Sequence, residues 1–452
     1  MLAVILLAAL AAKLALWALY LAADPSAFLQ PDSASYHESA RSLLASGTFA
    51  VSPDDPTPQT VRTPGYPAFL AAVYALAGEE PAAAILVQLL LGVATVAVAY
   101  LLVRRLAGPR VGLLAAALMA LDVPSHRYSL VLLTETLFAL LLAAALACGV
   151  ALLTGGERRR WALGLGVALA AACLVRPVAY YLVIPVGLGL LVQGWRAGWG
   201  RRETAVTAAL VVLPFAVAVG GWQYRNWRVS GSAALSHVDG RVFLFHRGAD
   251  IVARRDGIGF LAAREQLQQA YGLDAPGASV AGTNARWRAA GVELIRRHPG
   301  IYARTVAGGV ARTLLVPGEI PFPPHAARAP EPGWRSELRE RGVLGALRGR
   351  VARRGAGETA TFSLAALHVV VVSLGAAYCL WTLAARRKAT VADVFLLGVL
   401  LYMLLIQAGP TAGPRSRLPV EPILVLYAAR GLADLGGRLR TRPRTSLQPS
   451  PG

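Results

Sequence analysis

The sequence predicts an all-α polytopic membrane protein with about 10 transmembrane helices, range 9–12, a first outer loop bearing interfacial helices and a second long outer loop. Three observations predict it. Of the 452 residues, 56% are hydrophobic and 15% are charged, against about 25% charged in ordinary soluble domains. Apolar runs near the length of about 20 residues that a hydrocarbon core requires recur along the chain. Basic residues gather in short connections between those runs, and most of the acids of the first long loop lie apart from them.

The first run, 2–22, is apolar except for Lys13. It has no basic stretch before it and no small-residue cleavage site before Asp24, so it is expected to be a retained helix. Loop 23–80 follows, with Asp24, Asp32, Glu38, Asp54, Asp55, Glu79 and Glu80 against Arg41 and Arg62. Spans are then expected at 81–103, 110–123, 130–153, 160–175, 177–194 and 204–224, the second and fourth of them short. After the loop 225–360 come 361–385, 391–409 and 418–435.

Arg104, Arg105 and Arg110, then Arg158 to Arg160, then Arg196, Arg201 and Arg202, then Arg386, Arg387 and Lys388, and finally Arg438 to Arg444 mark alternate connections and the tail. Short loops rich in Lys and Arg stay in the cytoplasm. Both termini are therefore expected inside, and the loops 23–80 and 225–360 outside. The stretch "ELIRRHPGIYARTVAGGVARTLL", 293–315, carries four Arg, which argues against a lipid-exposed span and for a helix in or near the interface. A basic helical run is expected at 335–354. The organisation is read as a module 1–224 including loop 23–80, an outer loop 225–360, C-terminal helices 361–435 and a tail 436–452.

Net charge is +20. In this setting it indicates topology and anionic headgroups, with membrane lipids as partners and no nucleic acid. Cys148, Cys173 and Cys379 fall in apolar runs and read as core residues. There is no GxxxxGK[ST] phosphate loop and no GxSxG elbow. The histidines, His368 among them, show no zinc spacing; His37 with Glu38 is weighed as a metal pair and set aside. "PDDP", 53–56, reads as a turn. No cofactor is expected, and the sequence gives a divalent metal no support.

Ionisable residues fall near one predicted face: Asp32, Arg62 in "RTPGYP", Glu135 in "LLTETLF", Arg176 in "CLVRPVAYY", Arg225 in "WQYRNWRVSG", and Arg415 and Arg417 in "GPRSRLPVEP". Such residues at membrane depth are costly and mark function. Each has a plainer reading: Asp32 as a helix N-cap, Arg176 as a snorkelling turn residue, Arg225 and Arg417 as headgroup anchors. Together they describe a carboxylate and guanidinium site.

With "PDSASYHESARSLL" at 31–44, these motifs resemble the glycosyltransferase-C superfamily, in particular bacterial relatives of the protein O-mannosyltransferases and of the aminoarabinose transferase that modifies lipid A. The resemblance covers the seven N-terminal spans and the last one, and fades over 240–360. It implies a membrane glycosyltransferase that moves a hexosyl or pentosyl group from a polyprenyl-phosphate donor to an envelope acceptor, whether lipid, glycan or protein. It implies an active site on the outer face of the cytoplasmic membrane, and Asp32, in the first outer loop, as the general base. Many relatives have two acidic residues there; Ser33 follows Asp32 here. Guanidinium groups bind phosphate bidentately, so Arg62, Arg225, Arg415 and Arg417 are assigned to the donor phosphate. Glu135 is a second catalytic candidate, orienting an arginine or a sugar hydroxyl. Tyr36, Tyr66 and Arg176 are assigned to substrate. The alternative is a transporter or flippase of a lipid-linked sugar, which would more often show internal repeats and ionisable residues spread through the membrane depth; no repeat is present.

Overall fold

The computed structural model describes residues 1–272, 279–318 and 356–441. Among them the chain is almost entirely helical, with one isolated bridge between Ala50 and Pro58. All ten predicted spans are helices. Six are long and apolar enough to cross a membrane: Leu2–Ala23, Pro81–Ala107, Glu135–Leu153, Pro177–Arg196, Arg201–Ser230 and Gly357–Ala385. Pro109–Ala120 and Val391–Gln407 are apolar but shorter. The protein is a multi-pass membrane protein.

Helix α1 (Leu2–Ala23) turns most of its surface outward, burying only Ala9, Lys13 and Tyr20. The Lys13 ammonium enters the bundle and donates to the Ser125 carbonyl at 3.1 Å and to Ser129 Oγ at 3.0 Å. Gly92 leaves room for it, since a Cβ there would stand 3.2 Å from Lys13 Cε. Asp24 ends α1 and caps the turn Pro25–Phe28 through Ser26 N. The first long loop then forms α2 (Ser33–Ser46), closed by Gly47 at φ +67°, and α3 (Gly65–Ala77). The "PDDP" stretch is a turn, as expected: Asp55 accepts from Thr57 N at 3.0 Å.

The membrane core continues with α4 (Pro81–Ala107), α5 (Pro109–Ala120), the short α6 (Val123–Ser129), α7 (Glu135–Leu153) and α8 (Arg158–Val175). Residues 130–134, expected in the fourth span, lie ahead of α7. A 3₁₀ turn, Pro177–Leu182, leads into α9 (Val183–Arg196), and α10 (Arg201–Ser230) follows. The expected boundary at 224 is corrected: α10 runs six residues further, so Arg225 lies within it.

The second long segment adds the short helices α11 (Asp239–Val242), α12 (Ala249–Asp256) and α13 (Phe260–Tyr271) and builds its own small core from Leu244, Phe245, Ala249, Val252, Ala263, Leu267 and Trp287. The 293–315 stretch is not one helix. It breaks at His298 between α14 (Val280–Arg297) and α15 (Pro299–Leu315), because Pro299 cannot continue a helix but suits a first turn. The expected helical run 335–354 lies outside the described residues. Helix α15 lies against the turn 409–413. Arg312 donates to the carbonyls of Gly409 at 2.6 Å and Ala412 at 3.1 Å. A Cβ on Gly309 would come within 2.6 Å of Gly409 N. The helices Ala356–Ala385 and Glu421–Thr441 pair closely where Gly431 meets the Gly375 carbonyl, the small-residue contact that lets membrane helices approach.

Cysteine labelling checks the expected sidedness. Ser52→Cys and Ser232→Cys, each in a background freed of Cys148, Cys173 and Cys379, should react with an impermeant maleimide in intact cells. Protection of both sites would reverse the map.

Candidate active site

The "RTPGYP" stretch is held from two sides. Thr63 donates to the Val175 carbonyl at 3.1 Å, and the Gly65 backbone sits on Leu174, where a Cβ would stand 2.8 Å from the Leu174 carbonyl. The motif therefore docks onto the "LVRP" end of α8. Gly65→Ala should destabilise the protein by about 1–3 kcal/mol through overpacking. A thermal melt unchanged from the parent would remove that reading of the glycine. From the other side, Ser236 Oγ donates to the Val61 carbonyl at 2.5 Å and His237 N to the Thr60 carbonyl at 3.0 Å.

That scaffold aims Arg62 at α2. Its Nη2 donates to Asp32 Oδ1 at 2.8 Å, its Nε to Ser35 Oγ at 2.9 Å and its Nη1 to the Tyr36 hydroxyl at 3.1 Å. Ser35 and Tyr36 lie three and four residues after Asp32, on one helical face. Asp32 occupies the N-cap position of α2, as the plainer reading has it, but its side chain makes no capping bond. Its carboxylate is half exposed, at 51%, and Oδ2 is bonded to no described residue. Arg62 is spent on Asp32 and its neighbours.

A second group forms on α7. Glu135 is its first residue and is fully buried. Its Oε1 accepts from Arg176 Nη1 and from Arg415 Nε, the latter at 2.5 Å. Arg415 comes from the one-turn helix Pro414–Arg417, 280 positions away in sequence. Its terminal nitrogens bond to no described residue, and its side chain is 39% exposed. The two groups are near enough to act on one phenol. Burial raises the Tyr36 pKa, and the charges of Arg62, Glu135, Arg176 and Asp32 all act on it. Asp32 with Arg62 is neutral, while Glu135 with two arginines leaves one positive charge.

Three predicted site residues fall elsewhere. Arg225 donates to the carbonyls of Gln59 at 2.6 Å and Phe49 at 2.8 Å and stacks on Trp222, so it pins the first loop. Arg417 is 3% exposed and pairs with Glu421 at 3.2 Å, away from the open face. Tyr66 is fully buried beneath Tyr36 and donates to Gln88 Oε1 at 2.5 Å. His37 is bonded to the Tyr74 hydroxyl, and Glu38 to Arg41.

Sequence reading missed three things. Asp122, His368 and Glu421 form a buried cluster. Glu135 Oε2, without a partner among the described residues, borders a cavity of about 20 Å³ shared with Asp122, Ser125, Thr95 and Thr136. His246 lies on the π-helical segment Phe243–Gly248. Burial, with Arg264 and Arg241, lowers its pKa, and Asp32 opposes that. A carboxylate inside an apolar run was the available signal for Asp122 and Glu421; His246 had none.

Residues 61–222 match the model of the dolichyl-phosphate-mannose-protein mannosyltransferase family. The match contains Arg62, Glu135 and Arg176, while Asp32 and Arg415 lie outside it. It bears out, over that stretch, the resemblance drawn from the motifs. No curated protein sequence matches the chain. Among solved structures, the apo oligosaccharyltransferase of Archaeoglobus fulgidus is 12% identical, with a TM-score of 0.50 over 96% of this chain and 51% of that one. The same organism's oligosaccharyltransferase AglB, in complex with an inhibitory peptide and a dolichol-phosphate, gives 12% identity and 0.49 over 90% and 47%. ArnT from Cupriavidus metallidurans, bound to undecaprenyl phosphate, gives 18% and 0.38 over 98% and 80%. The chain spans about half the length of the oligosaccharyltransferases it resembles. The likeness to the apo enzyme is one of fold.

Proposed function

We propose that this protein is a membrane glycosyltransferase that takes a sugar from a polyprenyl-phosphate donor and passes it to a hydroxyl-bearing envelope acceptor at the outer face of the cytoplasmic membrane. One observation carries the reading. Asp32 is fixed through Oδ1 by Arg62 and keeps Oδ2 open, beside an arginine pair whose charge Glu135 only half cancels. A proton acceptor and an anion site thus share one face. The family match and the relatives solved with lipid phosphates are consistent with it.

The acceptor oxygen attacks the anomeric carbon as its proton passes to Asp32 Oδ2. The bond from that carbon to the phosphate oxygen breaks, and the electron pair leaves with the phosphate. Arg415, with its free terminal nitrogens, and Arg176 take the developing charge. This reduces the predicted phosphate set: Arg62 orients the base, and Arg225 and Arg417 hold the scaffold. Glu135 orients both phosphate arginines.

Mass spectrometry of envelope lipids, glycans and proteins from cells with and without the gene tests the reading. Loss of one sugar from an envelope component, with build-up of a polyprenyl-phosphate sugar, is expected. Identical profiles under conditions where the protein is made would contradict it.

A further inference from the structure

The strongest feature outside the proposed active site is the buried cluster at the junction of three helices. Asp122 caps the start of α6, His368 lies within Ala356–Ala385, and Glu421 begins Glu421–Thr441. All are nearly inaccessible, at 1%, 5% and 1% exposure. One atom from each lies within 4.8 Å of the others. His368 Nε2 is 3.0 Å from Glu421 Oε1 and 3.7 Å from Asp122 Oδ1.

We propose that Asp122, His368 and Glu421 bind a divalent metal ion, with zinc the best fit, as a structural clamp. The orientation of the two carboxylates is the first argument. The outer oxygen of each faces the protein: Asp122 Oδ2 accepts from Ser125 N at 3.0 Å, and Glu421 Oε2, without a hydrogen bond among the described residues, is ion-paired with Arg417 Nε at 3.2 Å. Their other oxygens turn toward His368. Ligating carboxylates are commonly held from behind in this way. Asp122 Oδ1, buried and aimed at the centre, has no hydrogen-bond partner among the described residues, and a buried polar atom left so calls for a ligand or a water.

Spacing is the second argument. Zinc bonds to imidazole nitrogen and carboxylate oxygen are about 2.0–2.2 Å, which puts tetrahedral ligand atoms about 3.4 Å apart. The two observed separations from His368 bracket that figure. Imidazole and carboxylate together suit zinc, whereas magnesium favours octahedral oxygen sites that keep several waters.

Charge is the third. With His368 neutral, as a metal ligand must be, Asp122 and Glu421 carry two negative charges and Arg417 one positive, so one negative charge is left in the apolar interior for a cation to cancel. Lys13, the next cation, spends its ammonium on Ser125 and Ser129. Arg417 approaches Asp122 Oδ1 only to 3.7 Å through Nη2 and bonds outward to the Val316 carbonyl at 3.0 Å. The clamp would therefore tie α6, the two C-terminal helices and α15 together. It would also fix the short helix that carries both Arg417 and Arg415. Ligands drawn from positions 122, 368 and 421 leave no local spacing for a sequence reading to detect.

Full-length protein, purified without a histidine tag, should carry about one zinc per chain by plasma mass spectrometry. His368→Gln and Asp122→Asn should each lose it. A chelator should lower the melting temperature of the unmodified protein, and added zinc, not magnesium, should restore it. That arm holds even if the variants fold poorly. Cobalt exchanged into the site should give the visible bands of a four-coordinate nitrogen and oxygen site. Absence of stoichiometric metal, with a melting temperature indifferent to chelator and zinc, would overturn the proposal and leave a four-residue ion cluster completed by a proton on His368.

Discussion

Asp32→Asn is expected to lower turnover by about 10²–10⁴-fold, the usual share of general-base catalysis. Asn can still accept the Arg62 bond through its amide oxygen, so the fold of the first loop should survive, but it cannot take the acceptor proton. Donor KM should change little, because the phosphate is assigned to Arg415 and Arg176. The melting temperature should stay near that of the parent, since the Asp32 side chain makes no capping bond and its carboxylate is half exposed. The test is steady-state kinetics with a lipid-linked donor, alongside a thermal melt in the same detergent. Parent-like turnover would remove Asp32 from the chemistry.

Glu135→Gln should do the opposite in kind. It removes the one buried charge that holds Arg176 and Arg415 together. Breaking a buried pair costs about 3–5 kcal/mol; the lower end applies, because both arginines keep some solvent exposure. The protein should melt several degrees lower, and donor KM should rise as the phosphate arginines lose their orientation. Arg415→Lys separates the two effects. It keeps the charge but gives up the planar fork, so donor KM should rise with a smaller loss of stability. Full stability and unchanged KM for Glu135→Gln would show that the carboxylate orients nothing.

Much of the architecture was legible because apolar runs and Arg-rich connections are governed by the bilayer, which acts on every residue alike. All ten segments are helices. The misreadings are local. Pro299 breaks 293–315 because proline cannot continue a helix, a signal outweighed by the arginines of that stretch, and α10 outruns its apolar run because Arg225 finds carbonyls and aromatic faces to satisfy it.

The candidate site was legible as a set of residue types and not as a set of partners. Asp32, Glu135, Arg62, Arg176 and Arg415 do come together. Which arginine serves a carboxylate, which a backbone carbonyl and which remains open depends on contacts as far apart as 135 and 415, and a single sequence does not encode those locally. Arg415 and Arg417 show the limit. They are two residues apart, yet one helical turn sends the first to the open face and the second into the buried cluster.

The central claim is that the sugar arrives on a polyprenyl phosphate and is transferred with Asp32 as the general base. Purified protein in lipid discs, given a radiolabelled polyprenyl-phosphate monosaccharide and a detergent extract of the cell envelope as acceptor, tests it most directly, with the Asp32→Asn variant run in parallel. The account predicts transfer of label to one acceptor by the parent, release of the polyprenyl phosphate in equal amount, and near loss of both in the variant. Equal transfer by parent and variant, or transfer from a nucleotide sugar with no polyprenyl lipid present, would contradict it.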